Sequence, residues 1–358
     1  MTRIRMAVVG CGHLGTIHAR LLAAREDVEF VAVVDPSAQA RAKVAEAHGC
    51  MALAEPEELI GLVDAAVVAT PTALHAATSL PLLAAGLDLL IEKPIAAGVE
   101  DARAILTTAR RHGRVVAVGH VERFNPAWRL AVGRLGRIVA VESARLAPFT
   151  FRSMDVGVVH DLMIHDIDLV LSLEPGRLEH LEAHGIVATG GHEDVVRARL
   201  RFSSGLVADL SASRINPTLR RSTSLWSPEG MASVDFNAKS VELVTPSADV
   251  RSGRFIAASV PFEERTALKE TFFKTVLPVE SLAAPDANAI ACEHDDFLDS
   301  IRTGRAPTVS ASAGAAALEI ANRVIDALVC TRMGADIDRP TVPLPTPSLP
   351  PLPRRKTG

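Results

Sequence analysis

The run Val8-Val9-Gly10-Cys11-Gly12-His13-Leu14-Gly15 leaves the start of this chain very few ways to fold. An apolar β-branched stretch ends in a glycine-spaced turn, and an alanine-rich helical stretch follows at once. Gly10 permits a tight turn, Gly12 lets backbone approach a ligand, and Gly15 allows a helix to pack closely on a strand. The first N–H groups of that helix, around His13 and Leu14, and its dipole attract phosphate.

The same alternation continues to residue 120. Strand candidates are Ile4–Val9, Glu29–Val34, Ala65–Ala69, Asp88–Ile91 and Val115–Val118. Between them lie helix candidates His13–Ala24, Ser37–His48, Ala73–Ala85 and Val99–His112. Short strands separated by longer helices imply βαβ units and a doubly wound parallel sheet, the Rossmann arrangement of an α/β fold. Asp35 ends the second strand, 20 residues after Gly15. A carboxylate there accepts hydrogen bonds from ribose hydroxyls and repels a 2′-phosphate that has no cationic partner, so the expected cofactor is NAD rather than NADP.

Beyond residue 120 the pattern changes. One helix is expected over Val158–Leu173, and helical character returns at Ala291–Arg302 and Ala313–Arg332. Between them, Val195–Phe202 with Leu206–Ser213, and Leu219–Trp226 with Met231–Phe236, read as hairpins across short Ser/Pro/Gly turns. The expected division is a dinucleotide-binding domain over 1–120, a second α/β domain with a mostly antiparallel sheet over 121–335, and a proline-rich, solvated tail over 336–358.

The balance of 48% apolar and 22% charged residues suits packed cores, and a net charge of −4 gives no general attraction to nucleic acid or anionic membrane. Four scattered cysteines, with no CxxC pair, argue against a zinc ribbon or disulfide scaffold and fit a reducing cytoplasm. Neither a secretory leader nor a membrane span is expected. Tyrosine is absent, which excludes Tyr-based acid chemistry.

Three further segments carry chemistry. Thr70-Pro71-Thr72 and His75 follow the third strand candidate, where ligands of such sheets sit, although a Thr-Pro-Thr turn also simply starts helices. Glu92-Lys93-Pro94 follows the fourth. Pro94 fixes the backbone, the bond before it can be cis, and a partly buried Lys93 can exchange protons near neutrality. On a regular helix, Asp161, His165 and Asp168 share one face, so a carboxylate can orient an imidazole for proton transfer. The same three could ligate a metal, or form a solvated face, but no cysteine is near and no metal is expected. The expected cofactor-lining residues are Gly10, Gly12, His13, Leu14, Gly15, Asp35, Thr70, Pro71, His75, Glu92 and Lys93.

With these residues in hand, the chain resembles the glucose–fructose oxidoreductase/inositol dehydrogenase (Gfo/Idh/MocA) family over about residues 3–335. The resemblance rests on the glycine fingerprint, Asp35, Glu92-Lys93-Pro94 and the Asp161-x-x-x-His165 helix. It implies an open-faced C-terminal sheet that forms a homodimer or homotetramer interface. It also implies an active site of Lys93, Asp161 and His165, with His165 as base, Lys93 close to it and Asp161 assisting. A narrower resemblance, to the UDP-N-acetylglucosamine 3-dehydrogenases, lies in Gly119–Pro126, Arg145–Phe149, Asp155–Val158, Ile164–Asp168, Asn216–Thr218 with Arg220-Arg221, and Glu229–Met231. It implies oxidation of a nucleotide-sugar hydroxyl to a ketone, followed by an aminotransferase that makes a 3-amino sugar for lipid A. Arg123, Asn125, Arg152, Asp168 and Arg220 are then the expected substrate-binding residues. In a net acidic protein the cations facing a diphosphate must be gathered locally, from Arg145, Arg152, Arg214, Arg220 and Arg221. A dehydrogenase of free sugars or cyclitols and a non-catalytic NAD-binding regulator are the alternative readings. Residues 247–290 and the tail fit neither resemblance closely.

Overall fold

The computed structural model describes residues 3–334 except Arg152 and Asp155. Six strands form a parallel sheet: β1 (Ile4–Val9), β2 (Val28–Val34), β3 (Met51–Leu53), β4 (Ala65–Val68), β5 (Asp88–Glu92) and β6 (Val116–Gly119). Their order is β3-β2-β1-β4-β5-β6. The winding therefore reverses between β1 and β4, where open α/β sheets take their ligands. The crossovers are α1 (His13–Ala23), α2 (Ala38–His48), α3 (His75–Ala84) and α4 (Val99–His112). Every residue of β4 and β5 is buried, because helices cover both faces. Helix α4 shows why the helices stop where they do. Glu100 and Asp101 stand in its first turn, and Arg110, Arg111 and His112 in its last, matching the dipole. Gly113 closes it at φ 62°, in the left-handed region.

The second sheet has nine strands: β7 (Ala140–Leu146), β8 (Leu178–Val187), β9 (Val195–Phe202), β10 (Val207–Ser213), β11 (Arg220–Ser227), β12 (Gly230–Asp235), β13 (Ser240–Val244), β14 (Val279–Ala283) and β15 (Leu328–Arg332). The order is β14-β13-β12-β11-β7-β10-β9-β8-β15. All pairings are antiparallel except β10 with β7 and β15 with β8. The later helices are α5 (Pro126–Val132), α6 (Ile164–Leu171), α7 (Ala248–Arg251), α8 (Arg265–Thr275), α9 (Ala289–Thr303) and α10 (Ala311–Asp326). Residues of α5, α6 and α10 share one apolar core with the inward side chains of this sheet. Its other face is open. Packing does not follow a single cut at residue 120, because α9 and α10 return to the first sheet. Phe297 and Leu298 pack with Met6 and Val8, and Leu318 packs with Leu89 and Val118.

Both expected hairpins form, as β9–β10 and β11–β12. Three differences stand out. Residues 328–332 are not the end of a helix but strand β15, since Leu328-Val329-Cys330-Thr331 can extend the sheet beside β8. The expected helix over 158–173 is a π turn, Val159–Met163, leading into the shorter α6. Strands β3, β7, β8, β13 and β14 escaped the sequence reading. No described helix is long and apolar enough to cross a membrane.

Candidate active site

The glycine turn is built as its spacing demands. Gly10 has φ 100°, and a Cβ there would lie 2.5 Å from the Ala69 carbonyl oxygen. A Cβ on Gly15 would fall 1.7 Å from the Gly10 oxygen, so helix and strand touch backbone to backbone. Gly12 faces open space, with nothing within 4 Å of an added Cβ. No side chain caps α1, so the first-turn N–H groups around His13 and Leu14 remain for phosphate. Asp35 accepts the Cys11 N–H on Oδ2 and the Ser37 N–H on Oδ1, both at 2.8 Å. The Cys11 thiol, pushed up to about 12 by burial and by Asp35, is no nucleophile at neutral pH. One expectation needs correcting. A cation does stand on this turn, because Arg41 donates to the Asp35 and Pro36 carbonyls at 3.1 and 3.2 Å.

At the ends of β4 and β5 the structure separates residues the sequence had grouped. Thr70 and Pro71 border the crevice, and Thr70 Oγ1 has no partner among the described residues. His75 does not open toward a cofactor. It is buried at the start of α3, with its ring nitrogens 2.8 Å from the Pro94 oxygen and 3.0 Å from the Thr70 oxygen, so it fastens two loops together. Glu92 is likewise buried, and its carboxylate is taken up by His18 and the Lys93 N–H. Both side chains are engaged within the fold. The Lys93–Pro94 bond is cis.

Lys93 crosses from the first sheet to the second. Its Nζ donates to the Asp161 carbonyl oxygen at 2.6 Å and lies 3.3 Å from Oδ1. Asp161 thus pairs with Lys93, and no hydrogen bond joins it to His165 among the described residues. Asp161 lies in the π turn across 159–163 and His165 in the α-helix that follows, so the two stand in different helical segments. His165 Nδ1 has no partner among the described residues. Burial, followed by the charges of Lys93, Arg145, His120 and Arg221, holds its pKa well below the ordinary value of 6.5. The ring is neutral at physiological pH and able to accept a proton. His120, directly after β6, meets it edge-on at 6.2 Å between ring centroids.

The expected substrate residues fare differently. Arg123 and Asp168 pair with each other at 2.8 Å, and Asp168 is buried, so they bind the turn after β6 to α6. Asn125 caps α5 with Oδ1 and donates from Nδ2 to Glu122, which spends its polar atoms on the fold. Arg152 lies outside the described residues. Arg220 points to the open face of the sheet, where its Nε donates to Ser222. Its neighbour Arg221 lies on the inner face, opposite Arg145 across β7. Arg145 is itself consumed by Glu122 and Asp166, and Arg214 by Asp194 and the Val156 carbonyl. No ion pair or hydrogen bond engages the Arg221 guanidinium among the described residues. Burial and the nearby Arg145 lower its pKa, and Asp161 is among the charges acting on it. No three His, Cys, Asp or Glu side chains group tightly enough to hold a metal among the described residues.

Sequence reading missed His120, His18, His294 and Glu293. His120 stands at a strand's carboxyl end, the position that singled out Lys93. His18 sits beside Ala19 and Leu22 on the buried stripe of α1, where a polar residue is itself a signal.

Residues 4–120 match the Gfo/Idh/MocA oxidoreductase family, NAD-binding Rossmann fold, and residues 129–233 match the family's C-terminal domain. The chain is 33% identical over 325 residues to a UDP-N-acetylglucosamine 3-dehydrogenase of Acidithiobacillus ferrooxidans, covering 89% of this chain and 97% of that one. A solved structure of that enzyme superposes with a TM-score of 0.79 at 31% identity, over 92% and 98% of the two chains. A scyllo-inositol 2-dehydrogenase (NAD(+)) of Bacillus subtilis is 27% identical over 60% of this chain and 68% of its own. The WlbA dehydrogenase of Bordetella pertussis, solved with NADH and UDP-GlcNAcA, shares the fold at a TM-score of 0.73 and 20% identity, over 91% and 95% of the chains. A glycine turn open at Gly12, an unblocked helix N-terminus and a carboxylate at the end of β2 fit that family's cofactor, and the chain belongs to the Gfo/Idh/MocA family of NAD-dependent oxidoreductases.

Proposed function

We propose that the chain oxidises a hydroxyl of a nucleotide sugar to a ketone, with UDP-N-acetylglucosamine, at its 3-position, as the substrate. The observation that carries this reading is a buried His165 whose Nδ1 has no partner among the described residues, with the charges of Lys93 and Arg221 acting on it. The Gly10–Gly15 turn, the first N–H groups of α1 and Asp35 would hold NAD. When bound, NAD supplies the two-electron acceptor for the carbon being oxidised. His165 takes the hydroxyl proton. Asp161 holds the Lys93 ammonium in place, and that ammonium stabilises negative charge developing on the substrate oxygen. Arg221, one of the five arginines that sequence offered for the diphosphate, presents a guanidinium fork to it. Arg123, Asn125 and Asp168 shape the pocket wall without touching the sugar. The ketone is a substrate for aminotransfer. Assembly into a homodimer or homotetramer belongs to the same reading, and light scattering of the purified chain tests it.

The similarity to inositol dehydrogenases supports a second reading, oxidation of a free cyclitol or sugar by the same Lys93 and His165. Mass spectrometry separates the two. The protein is incubated with UDP-N-acetylglucosamine, NAD, glutamate and a matching aminotransferase. A 3-amino nucleotide sugar is expected. NADH formed from myo-inositol, with no 3-keto or 3-amino nucleotide sugar, moves the assignment to the cyclitol. NAD binding without turnover of either compound points to a regulator.

A further inference from the structure

Beneath Lys93 lies a chain of buried polar groups that the chemistry above does not use. Glu92 ends β5, and its Oε2 accepts the Lys93 N–H at 3.2 Å. Its Oε1 is 2.8 Å from His18 Nε2. His18 Nδ1 is in turn 2.8 Å from His294 Nε2. His18 and His294 are at most 1% exposed and Glu92 8%, so no solvent screens the chain. A carboxylate only accepts, so His18 Nε2 carries the hydrogen of that bond. Burial alone would raise the Glu92 pKa. The hydrogen bond from His18 and the charge of Lys93 more than offset it and hold the Glu92 pKa down. Glu293 beside it goes the other way, pushed well above the ordinary carboxyl value by burial and then by Glu92. Gly119 leaves the room required, since a Cβ there would lie 2.8 Å from Glu92 Oε2.

Three elements meet at this carboxylate. Helix α1 carries the glycine turn at its N-terminus and His18 further along. Strand β5 delivers Lys93. Helix α9 brings His294 back from beyond the second sheet. An apolar trio of similar volume would hold the three together at a smaller desolvation cost. The polar chain adds a fixed hydrogen-bond acceptor under the one lysine that reaches Asp161.

We propose that His18 and His294 are positioning residues for Lys93: through Glu92 they fix the lysine's backbone relative to the phosphate-binding helix, so the seat of the cofactor and the ammonium at the reacting oxygen share one buried anchor. The proposal rests on the reading of Lys93 as a group that acts on the substrate oxygen. Displacing such a group by a fraction of an ångström costs rate rather than affinity.

The test is a mutant cycle on the full chain. His18→Leu, His18→Gln and His294→Leu are made alone and on a Lys93→Met background. Turnover, KM and NAD affinity are measured with NAD and whichever of UDP-N-acetylglucosamine and myo-inositol the wild type oxidises, and melting temperature is recorded. His18→Leu is expected to lower kcat about tenfold or more with KM and NAD affinity near wild type. His18→Gln, whose amide can still donate to Glu92, should recover most of that loss. On Lys93→Met, adding His18→Leu should change the residual rate by less than about twofold, because the lysine it acts through is gone. An equal fractional loss on both backgrounds, or wild-type kcat in His18→Leu, overturns the proposal. If His18→Leu does not fold, His18→Gln and His294→Leu complete the same cycle. Wild-type turnover in Lys93→Met would instead strike the active-site reading itself.

Discussion

The two sheets place their functional groups by opposite rules. In the parallel sheet, β4 and β5 are buried along their whole length, so chemistry can appear only where strands end. Asp35, Thr70, Lys93 and His120 all stand just past a carboxyl end. In the nine-stranded sheet, one face packs on α5, α6 and α10 while the other is open, and β9 alternates buried and exposed through seven consecutive residues. There the face decides, and position along the strand matters less. Arg220 and Arg221 are neighbours in sequence, yet they belong to opposite sides of the protein. In the first sheet a functional residue is found by where a run stops, and in the second by counting parity.

The most severe way to break this contrast is to remove the groups at the pocket between the two sheets. His165→Asn and Lys93→Met should each cut turnover by about 10²–10⁴ while NAD still binds. Assaying turnover beside NAD binding on the same samples checks this, and near wild-type rates in His165→Asn would remove the base from the mechanism. Next in size is stability along β9. Leu200→Ala should cost about 2–5 kcal/mol, as buried truncations do. Its neighbour Arg199→Ala, paired with Asp209 on the open face, should cost far less. Urea denaturation of the two variants measures the difference, and similar losses would mean that the open face is covered. Smaller again is the arginine pair. Arg221→Ala should raise KM for the nucleotide sugar about tenfold, near 1.4 kcal/mol, and Arg220→Ala should not change it. Equal effects would undo the parity argument.

Cofactor choice is of similar size. NAD should bind at least about tenfold more tightly than NADP, because a 2′-phosphate would meet Asp35. Fluorescence titration of both cofactors tests this. Equal affinities would show Arg41 prevailing over the carboxylate. The smallest effect is on pH. The His165 pKa lies well below 6.5, so the acid limb of kcat/KM should fall below that pH. Above it the imidazole is neutral and active, and activity is lost as protons are added. Arg221→Gln removes one repelling charge and should move this limb upward. A downward shift would place Arg221 away from His165.

How much of this was legible in sequence follows from the same contrast. The positions of the glycine turn, Asp35, Lys93 and His165 in the fold could be read because local backbone chemistry fixes them: a tight turn, a strand end, a run of helix. The inward partners of His75 and Glu92 could not be read. Their strand-end positions resemble those of cofactor ligands, and only packing reveals that they turn inward to Pro94 and His18. The cap made by Asn125 and the Arg123–Asp168 pair were hidden for a related reason, since a cap and a buried ion pair use the same residue types as a sugar site. Asp161 was placed beside His165 by an ideal helix that the chain does not form. Strand β15 was hidden by the helix before it. Its pairing with β8 joins segments more than a hundred residues apart, which no local pattern encodes.

Asp35 has been treated as a selector, but its two hydrogen bonds give it a second duty. By accepting the N–H groups of Cys11 and Ser37, it latches the glycine turn to the start of α2 before any nucleotide arrives. The turn is therefore rigid in advance, and binding does not have to be offset against the entropy of ordering it. Anyone retuning the enzyme toward a phosphorylated dinucleotide by replacing this carboxylate would also unfasten the loop. Such a redesign has to supply new acceptors for both N–H groups, or it will lose grip on either cofactor before it gains preference for one.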